Sequence, residues 1–239
     1  MAVDLRDVVD VPASAERLGV SPSEARRLIR KDQLFARQVA GRWVVPEVEL
    51  RRFASLERPV GRPLAQRSAW ALLRMIEEPG WRSSSLSPSR HSQLKRLLRD
   101  SAPGHLAAMA RNRARRDLYW VHPSLESELL ADARVHPSGW SALSDLDVGL
   151  VAGGDVPIEM YIRADDLVGA SHVFQLEPAD AVVNLIAHVI DAEVAPDELV
   201  WERVMRPASA LDLIESGDPR ARSVGQELWG RLVESARHG

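Results

Sequence analysis

The sequence predicts an α+β protein in three parts. A small domain of short helices and a hairpin covers residues 1–58, a basic helical region covers 67–135, and an acidic mixed α/β domain covers 136–239. Three observations predict this. Near the N-terminus, two short apolar-periodic segments with cap signals flank a glycine, and a strand–turn–strand pattern follows. Residues 56–66, LERPVGRPLAQ, hold two prolines and a glycine without periodicity, the marks of a linker. Charge then changes sign along the chain. Residues 1–59 carry 11 Lys and Arg against 9 Asp and Glu, residues 60–135 carry 13 against 7, and residues 136–239 carry 7 against 18. Such asymmetry suggests that the front meets a polyanion and the back does not, although two solvated surfaces would look the same.

In the first domain a helix fits residues 12–18, with Ala15 and Leu18 inward, and Gly19 stops it by accepting a left-handed backbone. Ser21 is an N-cap, Pro22 suits the first helical position, and Glu24 completes a capping box. The second helix runs to about Lys31, with Ala25, Leu28 and Ile29 on its apolar face and Arg26, Arg27, Arg30 and Lys31 on the others. Two short helices around a glycine turn make a helix-turn-helix. Its second helix enters a major groove, where cations and serines bond phosphates and guanine edges. FARQV and RWVVP read as two strands around Ala40-Gly41, a wing, and PEVELRRFAS starts a third helix. On these residues the segment resembles the excisionase and MerR-like winged helix-turn-helix domains. The expected partner is double-stranded DNA. Arg26, Arg27, Arg30 and Lys31 would contact it, Ser21 and Ser23 would meet phosphate, and Arg37 and Arg42 would reach backbone or minor groove from the wing. A helical domain with a merely solvated arginine face is the competing reading, and it leaves the hairpin unexplained.

In the middle region RSAWALLRMIEE reads as a helix with Ala69, Leu72, Leu73 and Ile76 on one face. SPSRHSQLKRLLRD reads as another, with Leu94, Leu97 and Leu98 inward. The densest cationic run, Arg111, Arg113, Arg115 and Arg116, follows, with Tyr119 and Trp120 on a strand. Either this is a second winged-helix-like unit whose Arg113, Arg115 and Arg116 add phosphate contacts, or it is a solvated helix. Phosphate contacts give affinity rather than sequence choice.

The acidic part reads as a helix from Ser138 toward Ser144, a strand PIEMYIR, a helix ADDLVGAS, strands VFQLE and AVVNLIAHVI, and two final helices. Gly217 ends the first of these helices and Asp218-Pro219 opens the second, whose stripe is Val224, Leu228 and Leu232. Within SALSDLDVGLV, Asp145 and Asp147 sit two apart in a run that reads as a strand, so both carboxylates point to one face. Paired acids of this kind hold two metals in nucleotidyltransferases. The polymerase-beta-like pattern also needs a Gly-Ser pair upstream. Here Gly139 precedes Trp140, only five residues separate Gly139 from Asp145, and no lysine lies in residues 136–239. Glu159 would supply the third acid. No catalytic residue is therefore expected.

SGWSAL, EMYIRADDLVGASHVFQLEP, AVVNLIAHVI and ALDLIESGDPRARSVGQELW resemble, in that order, the C-terminal region of the abortive-infection type IV antitoxin family. The resemblance spans roughly residues 67–239. It implies a transcriptional regulator with a C-terminal α/β domain, encoded beside a nucleotidyltransferase toxin. The front departs from the family, because an excisionase-like domain replaces its shorter winged helix.

The chain has no cysteine, so it has no disulfide and no thiolate ligand. Its seven histidines lack zinc-site spacing. No signal-peptide pattern opens the chain, and no apolar run reaches the ~18 residues of a membrane span. No cofactor, metal or membrane partner is expected, and the expected location is the cytoplasm. The expectation is a non-enzymatic, sequence-specific DNA-binding regulator that controls its own operon and pairs with a nucleotidyltransferase toxin. Its rivals are a recombination accessory protein and, on Asp145 and Asp147, a nucleotidyltransferase.

Overall fold

The computed structural model describes residues 3–4, 7–31, 33–54, 56, 61–146, 148, 156–179, 182–194 and 199–238. The N-terminal domain begins with strands β1 (Val3–Asp4) and β2 (Val8–Asp10) and helix α1 (Val11–Leu18). Asp10 caps α1 by accepting the Ala13 N–H at 2.9 Å, and Gly19 ends it at φ +63°. Helix α2 (Pro22–Arg30) starts where Ser21 Oγ accepts the Glu24 N–H at 3.1 Å. Strands β3 (Arg37–Val39) and β4 (Arg42–Pro46) form the wing, and helix α3 (Glu47–Ala54) follows. Ala40 and Gly41 turn the wing with φ of 48° and 75°; two consecutive positive φ values match the right-handed twist of the paired strands. Strand β4 lies between β2 and β3 in an antiparallel sheet. Val11, Leu18, Leu28, Leu34, Val45 and Phe53 fill the domain core.

The rest of the chain opens with helices α4 (Gln66–Glu77), α5 (Pro88–Asp100) and α6 (Pro103–Met109), then strand β5 (Arg115–Trp120). Helix α7 (Glu126–Leu130), strand β6 (His136–Pro137) and a 3-10 turn over Gly139–Asp145 come next. Strand β7 (Ile158–Arg163), helix α8 (Ala164–Val173) and strands β8 (Glu177–Pro178), β9 (Val182–Val183) and β10 (Leu185–Ile190) continue the chain. Helices α9 (Met205–Glu215) and α10 (Pro219–His238) close it. One sheet has the order β6-β7-β10-β5-β8, in which β7 and β10 run parallel and the other pairs antiparallel. Strand β1 pairs with β9 and so ties the N-terminal segment to this body.

The expected boundary near residue 135 is not seen. Strand β5, from the basic middle, pairs with β10, from the acidic back. Helices α4, α5 and α6 share one core with α9 and α10, built around Trp70, Leu72, Leu106, Leu211 and Trp229. A separate winged unit over 67–135 is thereby corrected: its one long strand has its partners elsewhere in the chain. Two local readings also change. Residues expected as the strand VFQLE begin inside α8 and turn at Gln175, at φ 51°, so only Glu177–Pro178 pairs. The run AVVNLIAHVI breaks at Asn184, whose side chain accepts the Val121 N–H at 2.9 Å and donates to the Val121 carbonyl at 2.8 Å.

Alternation along β7 and β10 assigns the two sheet faces. Met160, Ile162, Leu185, Ala187 and Val189 pack with Leu167, Ala170 and Phe174 on one face. Glu159, Tyr161, Ile186 and His188 occupy the other, which is half polar. Leu118, Val183 and Ile186 on that side meet Phe35 and Val48 of the N-terminal domain.

Candidate nucleic-acid interface and interdomain cleft

Helix α2 presents two polar flanks. Ala25, Leu28 and Ile29 fix its buried side, so Ser23, Arg26 and Arg30 are exposed on one flank. Glu24, Arg27 and Lys31 lie on the other and line a cleft against the sheet body. Arg27 is held there by Glu24, with Nε at 2.7 Å from the carboxylate, and this contact keeps its pKa raised. The four cations expected to act together are thus divided between two faces. Ser21 Oγ serves as the cap and sits 2.9 Å from Ser23 Oγ, while Ser23 stays exposed at the helix start. On the wing Arg42 is exposed and Arg37 half-buried. Val39 and Trp43 expose 44% and 43% of their surface beside Arg42, although the sequence reading names neither as a contact residue. Their places in a three-residue strand and its partner are the signal, since short edge strands bury few side chains on both faces.

The second arginine cluster has a different environment. Arg113 is 1% exposed. It donates to Tyr161 Oη at 2.7 Å, to Glu215 at 2.7 Å, and to Asp212. Asp212 also accepts from Tyr161 Oη at 3.0 Å and from Ser138 Oγ. Trp70 Nε1 donates to the Arg113 carbonyl at 2.7 Å, and the Trp70 ring meets Tyr161 edge-on at 5.2 Å. The His188 ring stacks on Tyr161 at 4.8 Å, and burial holds its pKa down at about 4. Arg113 is therefore corrected from a surface phosphate ligand to the centre of a buried polar network. Burying a guanidinium is costly unless it is paired, and here three acceptors satisfy it. Arg116 bonds Glu49 of α3 at 3.0 Å, and Arg52 bonds the same carboxylate at 2.6 and 2.8 Å. Burial pushes Glu49 up, but Arg52 and Arg116 outweigh it and hold the carboxyl at about 2. Arg116 thus anchors the N-terminal domain to the body. Arg115 pairs with Asp117 at 2.8 Å on the cleft rim.

The family described as helix-turn-helix domain matches residues 8–55. The chain carries an N-terminal helix-turn-helix domain. The match ends before the linker and does not reach the segments that resemble the antitoxin family. Comparison with curated proteins and with solved structures gave no match.

The helix-turn-helix domain meets the body along Phe35 and Val48, the Glu49–Arg116 pair, and a bond from Gln33 Nε2 to Asn112 Oδ1 at 3.2 Å. Beside this contact lies the cleft of about 920 Å³, bounded by α2, Phe53, the 61–66 segment and the 111–116 run. Farther along the sheet, Gly139 and Glu159 do meet. Gly139 has φ 50°, and a Cβ there would fall 1.7 Å from Glu159 Oε2. Burial and the neighbouring Asp212 push Glu159 up to about 8. Asp145 ends the 3-10 turn rather than sitting on a strand, and Asp147 lies outside the described residues. Among the described residues no group of three or more His, Asp or Glu is placed to hold a metal ion, and no helix is long and apolar enough to cross a membrane.

Proposed function

We propose that this chain is a sequence-specific double-stranded-DNA-binding regulator that reads the major groove with the Ser23–Arg26–Arg30 flank of α2. The observation that carries this is the exposed flank itself. Arg26 and Arg30 stand one helical turn apart, beyond a capped N-terminus and next to a wing. That spacing suits two arginines reaching successive base edges, each able to grip guanine with a bidentate fork. Ser23 and the α2 N-terminus would meet a phosphate, and Arg42 at the wing tip would meet backbone or minor groove.

The finer reading is a regulator of its own operon, antitoxin-like and paired with a nucleotidyltransferase toxin. Its support is the ordered resemblance of the segments between 138 and 229. On this reading the chain performs no catalysis. Glu159 Oε2 fills the space beside Gly139, and that supports it, because a phosphate-binding glycine must be open. The exposed Trp43 and Val39 favour one second reading, an architectural role in which apolar side chains kink the duplex.

The test is selection of a duplex from a randomised pool by the full chain, followed by anisotropy titration. Arg26→Ala and Arg30→Ala should each cost about 1–3 kcal/mol and relax the preference at one position. If both variants bind like the parent at matched salt, the assignment of this flank fails. Gel mobility of circularly permuted fragments then separates reading from bending.

A further inference from the structure

We propose that the cleft between the helix-turn-helix domain and the sheet body binds a small polyanion, a molecule of nucleotide size carrying at least two phosphates. The cleft is lined by eight Lys and Arg side chains against Glu24, Asp191 and Glu215. Much of that charge is answered within the protein: Arg27 by Glu24, Arg115 by Asp117, Arg113 by Asp212 and Glu215, and Arg52 with Arg116 by Glu49. Two cations are not so answered. Lys31, just past the C-terminal end of α2, and Arg62, on the segment entering α4, are exposed in the cleft and have no acid partner among the described residues. Arg111 also lines the cleft, with its guanidinium 5.4 Å from the Phe53 ring centroid. A guanidinium placed over a ring is partly ordered before it meets a phosphate. These three come from separate parts of the chain, so their convergence belongs to the fold rather than to one basic stretch.

Size selects among anions. A volume of about 920 Å³ is that of a small-molecule site. A duplex cannot enter it while the Glu49–Arg116 pair holds the two walls together. An isolated chloride or carboxylate offers these cations less charge and fewer oxygens than two linked phosphates do. One wall of the cleft is the flank of α2 opposite Arg26 and Arg30, so a ligand there would fix the posture of the reading helix against the body. That last consequence, and only that, rests on the DNA-binding reading above.

The probe is inorganic pyrophosphate, titrated calorimetrically into the full chain at constant ionic strength. Saturable binding of one equivalent is expected, weakened tenfold or more in Lys31→Gln/Arg62→Gln and changed less than twofold in Arg26→Gln/Arg30→Gln. Thermal unfolding of each variant confirms that it is folded. An absence of saturable heat overturns the proposal. So does equal weakening by both variants, which would mean diffuse attraction to surface cations. A duplex competitor distinguishes the source of the phosphate. If a short duplex displaces pyrophosphate and loses affinity in the cleft variant, the cleft is a groove for the DNA backbone and the small-molecule site is refuted. None of these readouts needs the α2 flank to bind DNA, so the two readings can fail separately.

Discussion

Arg26 and Arg30 stand on an open flank of α2, whereas Arg113, from the other run of arginines, is buried and Arg116 is half-buried against Glu49. Both runs follow a short helix, and both carry more charge than their own segment can pair. What separates them is the partner each finds across the fold. On α2 the apolar residues fix the buried side, and the arginines are left to solvent or to another molecule. In the 111–116 run the chain enters strand β5, and alternation turns Arg116 toward α3 while Arg113 meets α9 and β7. Cation density therefore does not identify a polyanion surface by itself. The charge imbalance between the middle and the back of the chain is answered in part within the molecule, through Arg113 with Asp212 and Glu215.

The sharpest way to break the comparison is to remove Arg113. Arg113→Met would leave Asp212 and Glu215 without their cation and should cost about 3–5 kcal/mol, read as a fall in the urea midpoint. A midpoint near that of the parent would mean that Arg113 is no keystone. Gly139→Ala comes next. A methyl 1.7 Å from Glu159 Oε2, on a backbone at φ 50°, should cost about 1–3 kcal/mol. Rescue by Glu159→Ala, which opens the space, would locate the clash.

The polar sheet face should also show in the pH dependence of stability. Glu159 is raised from 4.5 to about 8 in the fold, so the native state holds a proton that the unfolded chain releases. Stability from this group is full below pH 4.5 and is lost as pH climbs through 8. His188 has the opposite sign, since its folded value lies near 4 against 6.5, and its contribution is lost as pH falls between those values. Glu159→Gln should flatten the alkaline limb in a series of urea titrations and leave the acidic limb. The smallest effect lies on the wing. Ala40 occupies a left-handed position, and Asn, which tolerates it, should raise stability by about 0.5–1 kcal/mol without touching the body.

The two regions also differ in how far sequence reading reaches. The helix-turn-helix domain is written in local signals: the Ser21 cap, the Gly19 stop and the Ala40-Gly41 turn each act within a few residues, and all appear where expected. The body depends on pairings between residues far apart in the chain. The β5–β10 pairing joins residues near 117 and 187, and no spacing within either segment announces it. The same holds for Arg113, whose carboxylate acceptors lie about a hundred residues away on α9. On α2, helical spacing identifies the buried side, but which exposed flank faces the body depends on where α3 docks. The open flank is legible as cations, and its separation from Arg27 and Lys31 is not.

The most direct test of the open flank is the salt dependence of duplex binding for two double variants. Arg26→Gln/Arg30→Gln removes cations of the open flank, and Arg115→Gln/Arg116→Gln removes cations of the strand. Anisotropy titrations over a salt series give the slope of log K against log salt, with circular dichroism confirming the fold of each variant. The α2 variant should bind more weakly and lower the slope by about 0.9 for every phosphate it no longer neutralises. The strand variant should keep the slope of the parent. The reverse pattern, an unchanged slope for α2 and a lowered one for the strand, would place the DNA on the body and contradict the assignment.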